Sequence, residues 1–163
     1  MPLSPRHYPA VILVACLGAL ASALTAQFVF GLRPCILCLY QRGPYGVAAL
    51  LAGVALLPML TARARWGLVA LCALAFVVNT GIASFHVGVE QHWWAGTAAC
   101  TGETALPTSP DQMLAMLKGP PPPRCDDVPW ALFGISMAGF NVGASLVLAG
   151  FAAWAARRMK EQP

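Results

Sequence analysis

Four long apolar runs govern what this chain can fold into: Ala10 to Phe30, Gly43 to Leu60, Trp66 to about Phe85, and about Leu132 to Trp154. A run of about 18 or more uncharged apolar residues is long enough to cross a bilayer as a helix. Any one of these runs would pass for a buried core helix of a soluble protein, but the set would not. Hydrophobic residues make up 58% of the sequence and charged residues 10%, against roughly 25% charged in ordinary soluble domains. Too little polar surface remains to carry four such helices in water. Length gives one domain. The expected fold is an all-α membrane protein, a single integral membrane domain over residues 1–163 built as a four-transmembrane-helix bundle. Its connections are expected at about 31–42 and 86–129.

The first run has a second reading. Arg6 and His7 precede it, and Ala21-Ser22-Ala23 resembles a signal-peptide cleavage site. The run continues to Phe30, beyond the roughly 7–15 residues of a signal core, so retention as a membrane helix is expected.

Lysine and arginine in the short connections set orientation. Arg6 precedes the first run, Arg63 and Arg65 separate the second and third, and Arg157, Arg158 and Lys160 follow the fourth. These segments are expected on the cytoplasmic side, with both termini there. The opposite side then carries the 31–42 and 86–129 connections. Arg33 and Arg42 weaken this bias. The net charge of +4 reflects membrane orientation and gives no reason to infer nucleic-acid binding.

The six cysteines divide by depth. Cys16 and Cys72 lie within apolar runs and read as small buried hydrophobes. Cys35, Cys38, Cys100 and Cys125 all fall on the outer side, where disulfides form and persist. Four cysteines allow three connectivities. A Cys-x-x-Cys pair, here Cys35-Ile36-Leu37-Cys38, closes too small a ring to constrain much unfolded chain, so a purely structural staple is a weak reading. A four-thiolate zinc site is a second reading, disfavoured by the wide spacing of Cys100 and Cys125. A redox relay fits best, because a vicinal dithiol opens and closes with an electron pair. No metal is expected.

Other residues on that side support such chemistry. Arg42, four residues after Cys38, shares its face if the chain is helical there, and a guanidinium near a thiolate stabilises the anion. Pro44 argues against a helix already begun at Cys38. The alternative role for Arg42 is an anchor at the headgroups. His86, ending the third run, can bind a carbonyl oxygen or shuttle protons. Trp93 and Trp94 read as interfacial anchors. Ser109-Pro110-Asp111-Gln112 reads as a helix start, followed by Met113, Leu114, Met116 and Leu117 at helical spacing. A short amphipathic interfacial helix is expected there, holding the long loop near the bilayer while Cys100 and Cys125 stay mobile. The small residues around Cys100 suit the approach of a protein partner.

Taken together, these residues resemble the bacterial disulfide bond formation protein B family, the inner-membrane thiol:quinone oxidoreductases. The resemblance covers essentially the whole chain: four apolar runs, Pro-Cys-x-x-Cys followed by Arg42, His86 ending the third run, and a second cysteine pair in the long loop. It extends to Cys125-Asp126-Asp127-Val128-Pro129-Trp130 leading into the fourth run. It implies that Cys100 and Cys125 take electrons from a periplasmic thioredoxin-fold thiol oxidase, with Cys100 forming the mixed disulfide. Cys125 would then exchange with Cys35 and free Cys38 to pass electrons to ubiquinone, or to menaquinone under anaerobic growth. Arg42 and His86 match positions that border the quinone. The chain departs from the family pattern at Pro44 and at Glu90, where an amide is the expected side chain. Vitamin K epoxide reductase-like proteins also couple thiols to quinones, but their Cys-x-x-Cys comes late in the bundle, whereas here it follows the first helix.

Overall fold

The computed structural model describes residues 5–101, 109, 111 and 123–161. Helix α1 spans His7–Phe28, α2 Ile36–Ala55 and α3 Ala62–Glu90. A single turn, α4, covers Ala98–Thr101. Strands β1 (Ala131–Leu132) and β2 (Ile135–Ser136) form a small hairpin, and α5 runs over Met137–Glu161. The amphipathic segment expected after Ser109 lies outside the described residues, apart from Ser109 and Asp111.

Helix α2 starts seven residues before the apolar run that announced it. Cys35 is its N-cap, extended at φ −73° and ψ 172°, and its sulfur accepts from the Cys38 N–H. That sulfur takes the place of the usual oxygen cap and satisfies one of the orphan N–H groups of the first turn. The expectation that Pro44 would exclude a helix begun at Cys38 is therefore corrected: Pro44 lies inside α2. Proline has no N–H, so the Tyr40 carbonyl loses one intrahelical partner while the helix carries on. Helix α3 extends past the expected end near Phe85 to Glu90, and α5 begins at Met137 rather than near Leu132. The residues before α5 are instead paired as a hairpin. Its two-residue turn, Phe133–Gly134, has φ of +52° and +79°, the left-handed pair of a type I′ turn.

Helix α3 packs against both α2 and α5, and α1 lies against α2. Contact surfaces are built largely from alanine. Ala48, Ala52 and Ala55 of α2 are fully buried, as are Ala152 and Ala155 of α5. Small side chains let helices approach closely, which supplies packing where lipid removes the usual hydrophobic drive. Cys16 and Cys72 are buried in this core with Ile12, Val69 and Phe76.

The outer surface is apolar: Val14 is 70% exposed, Leu50 69% and Val147 71%. Helices α1, α3 and α5 are each long and apolar enough to cross a membrane. Helix α2 is shorter, at 20 residues, and Gln41, Arg42 and the Gly43-Pro44-Tyr45-Gly46 stretch dilute its first half.

Candidate active site

The site forms where the N-terminus of α2 and the C-terminus of α3 meet the N-terminus of α5. With Cys35 capping α2, Cys38 falls in the first turn and the two sulfurs lie 2.9 Å apart. Little movement closes them to the roughly 2.05 Å of a disulfide. From α3, His86 places Nε2 3.5 Å from the Cys35 sulfur, while its Nδ1 lies 2.9 Å from Nε2 of Gln41. Glu90 follows one turn later, its Oε1 3.8 Å from His86 Nε2. The Ser136 hydroxyl accepts from the Gly139 N–H at the start of α5 and donates to the Glu90 carboxylate. Glu90 thus ties the end of α3 to the start of α5.

Burial and hydrogen bonding set the thiol chemistry. The Cys35 thiol is pushed up to about 12, first by its hydrogen bond to Cys38 and then by burial. A shift in that direction favours Cys35 as the protonated partner of the pair. Burial also pushes the Cys125 thiol up, reinforced by a hydrogen bond with Cys100.

The second pair is brought to the first. Cys100, carried on α4, and Cys125 pack with Cys35, Leu37 and Val89 in one buried cluster, with Cys38 at its edge. The Cys125 N–H donates to the Cys100 carbonyl at 3.1 Å. This corrects the expectation that Cys100 and Cys125 are mobile: Cys100 is 1% exposed and Cys125 0%. A Cβ on Gly96 would stand 2.7 Å from Cys100 Cβ, so only glycine lets the chain fold this closely over the cysteine. Cys100 still lines an open recess of about 480 Å³ with Trp93, Trp94, Gly96 and Asp126.

A separate cavity of about 420 Å³ opens beside the first pair. Its polar wall carries Cys38, Gln41, Arg42, His86 and Glu90, and its apolar wall includes Leu20, Ala23, Met137 and Phe140. Arg42 and Cys38 lie one turn apart on α2 and line this cavity together. The guanidinium donates to Gln27 of α1 at 2.7 Å, a partner not foreseen from sequence. Gln41 and Asn141 were missed as well, and Asn141 donates to Gln41. The available signal was their place within or beside apolar runs, since polar side chains in membrane helices face the bundle interior. Among the described residues, Cys35, Cys38 and His86 also bring three ligand atoms within 4.8 Å of one another, close enough for a metal ion.

The sequence model of a family described as "Disulfide bond formation protein DsbB" matches residues 5–155. The chain belongs to the DsbB family. It is 31% identical over 134 residues to disulfide bond formation protein B of Xylella fastidiosa (strain Temecula1), covering 75% of this chain and 72% of the relative. The namesake from Saccharophagus degradans is 27% identical over 165 aligned positions, covering 93% and 92%. That from Xanthomonas campestris pv. campestris (strain 8004) is 30% identical over 151, covering 87% and 83%. No solved structure matches the chain. Membership implies disulfide oxidoreductase activity in a membrane setting, working with a disulfide partner.

Proposed function

We propose that this DsbB family chain is a protein-disulfide:quinone oxidoreductase of the bacterial inner membrane. It reoxidises a periplasmic thioredoxin-fold thiol oxidase and passes the electrons to ubiquinone or menaquinone. The observation that carries this reading is the adjacency of two features: a buried cluster of four cysteines, and a largely apolar cavity walled by Cys38, Arg42 and His86. An apolar cleft with a few convergent polar groups suits a ring with carbonyl oxygens and a greasy tail. Bound there, a quinone supplies the sink for two electrons and two protons.

The thiol steps belong to the chain. The partner's thiolate attacks Cys100 in a Cys100–Cys125 disulfide, and Cys125 leaves as a thiolate. The partner's second thiol then releases Cys100 and closes the partner's own disulfide. Cys125 attacks Cys35 in a Cys35–Cys38 disulfide; that bond breaks and Cys38 leaves as a thiolate. Cys100 next closes on Cys125 and frees Cys35 as a thiol. The first pair now holds two electrons, with the Cys38 sulfur on the cavity wall. Arg42 offers guanidinium donors beside that sulfur and beside any oxygen gaining charge.

The cysteine end is read as periplasmic, with four helices crossing the bilayer. Arg63, Arg65, Arg157, Arg158 and Lys160 gather at the other end, which supports cytoplasmic termini.

Purified protein supplied with a reduced thioredoxin-fold oxidase should reduce ubiquinone with single-cysteine dependence. Cys100→Ala should block electron entry yet leave the Cys35–Cys38 pair reactive toward quinone. An absence of quinone reduction, together with stoichiometric zinc on the cysteines, would replace this reading with a metal-binding or loop-stapling membrane protein.

A further inference from the structure

A line of neutral polar side chains runs from the bundle core to the dithiol. Tyr45, Asn79, Asn141 and Ser145 meet between α2, α3 and α5. The Asn141 Oδ1 atom receives Tyr45 Oη–H at 2.7 Å, Ser145 Oγ–H at 3.4 Å and Asn79 Nδ2–H at 3.5 Å. Asn79 also donates to Ser145 Oγ at 2.8 Å. The structure sets the Asn141 amide with its oxygen toward these three groups. Its nitrogen then faces Gln41 and donates to Gln41 Oε1. The remaining end of Gln41 is its NH₂, which faces His86 Nδ1. That ring nitrogen accepts, so in the neutral ring the proton sits on Nε2. Nε2–H then faces the Cys35 sulfur at 3.5 Å, and with Cys35 as the donor of the 2.9 Å contact the line reaches Cys38.

Every bond in this line runs the same way. The far end is Asn79, whose Oδ1 is buried with no hydrogen-bond partner among the described residues. The near end is the Cys38 sulfur on the cavity wall. Hydrogen bonds aligned head to tail polarise one another, and the effect is strongest where water is excluded.

We propose that Gln41 and Asn141 are positioning residues for the redox chemistry: they hold His86 as its Nε2–H tautomer and complete a one-way hydrogen-bond chain that stabilises negative charge on Cys38. The redox significance rests on the function proposed above, whereas the tautomer does not. The chain also sets His86 against metal binding, because Nε2 carries a proton where a metal would need its lone pair.

The test is ¹⁵N NMR of histidine-labelled protein in detergent, in a His7→Asn, His92→Asn background that leaves His86 as the reporter. Wild-type spectra at neutral pH should show Nδ1 in the unprotonated and Nε2 in the protonated range. Gln41→Glu replaces the donor facing Nδ1 with an acceptor and should move the proton to Nδ1. Asn141→Asp removes the donor that orients Gln41 and should do the same. In reduced protein, Gln41→Leu should slow alkylation of Cys38 roughly two- to tenfold, the worth of one hydrogen bond. A wild-type ring protonated on Nδ1, or spectra unchanged by both acidic variants, would overturn the proposal. The wild-type spectrum decides even if the variants do not fold. Quinone reduction is read separately: its absence with the expected tautomer sinks the functional reading alone.

Discussion

The Cys35 sulfur is pulled three ways. It accepts from the Cys38 backbone N–H, faces His86 Nε2 and shares a proton with the Cys38 sulfur. The last contact dominates and, with burial, raises the thiol to about 12 from an ordinary value of 9.0. The sign follows directly. Between about pH 9 and 12 the folded reduced protein keeps a proton that the unfolded chain has lost, so its stability falls as pH rises through that window. In reduced protein carrying Cys100→Ala and Cys125→Ala, alkylation of Cys35 should therefore stay slow near pH 8.5 and rise only toward pH 12. A half-point near 8.5 would show that the hydrogen bond to Cys38 is not made. Arg42 makes a different prediction. Arg42→Ala should slow quinone turnover about 10- to 100-fold, the range of one charge-assisted hydrogen bond, while thiol exchange with the oxidase persists. Arg42→Lys should fall between the two, because it keeps the charge and loses the planar fork. Unchanged quinone kinetics in Arg42→Ala would leave only a structural tie to Gln27.

At the level of elements, the sequence announced the long helices and misplaced several of their ends: α2 stops at Ala55 rather than Leu60, and α5 runs on past Trp154 to Glu161. Two of the starts share one reason. Hydropathy marks where lipid contact is needed, whereas helix boundaries at an interface are set by caps. Cys35 caps α2, Ser136 caps α5, and neither is apolar. The cysteine motif, Arg42 and His86 were legible because their spacing carries the chemistry. The burial of Cys100 was not legible, because it depends on packing with Cys35 and Leu37, which lie on a different helix far back in the chain. Two glycines shape this region. Gly96 lies under Cys100, and Gly88 lies under Trp94, where an added Cβ would stand 1.9 Å from the indole. Trp94 stacks on Phe85 and donates to its carbonyl at 3.0 Å. Elsewhere in a helix, Gly→Ala gains up to about 1 kcal/mol. Here Gly88→Ala should instead dislodge Trp94. The expected signs are a shifted emission in a protein keeping only that tryptophan and faster alkylation of Cys100. A stabilised helix with both readouts unchanged would contradict this packing.

On the scale of the whole molecule, the bundle is apolar on both sides: alanines, a few large apolar side chains and a buried amide within, and large aliphatic side chains without. Its two ends differ in kind: one gathers the four cysteines with His86, Glu90 and Arg42, the other Arg63, Arg65, Arg157, Arg158 and Lys160. Arg65 is buried among the connections of that second end. Its Nε donates to the Ala55 carbonyl at 2.8 Å, and one Nη reaches the carbonyls of Leu57 at 3.2 Å and Leu60 at 3.4 Å. It therefore closes the C-terminus of α2, whose last carbonyls have no intrahelical partner. Arg65→Lys keeps the charge and loses the fork. It should lower the thermal midpoint in detergent by several degrees while leaving the orientation seen by terminal reporter fusions unchanged. An unaltered midpoint would show that the carbonyls are satisfied by other means. The same side chain thus acts at two moments in the life of the molecule. In the orientation proposed above, it is during synthesis a bare charge that resists translocation, before α2 has a finished end to cap. Once the bundle has closed, that charge is hidden among carbonyls, and the proposed topology no longer depends on the residue that would have helped to decide it.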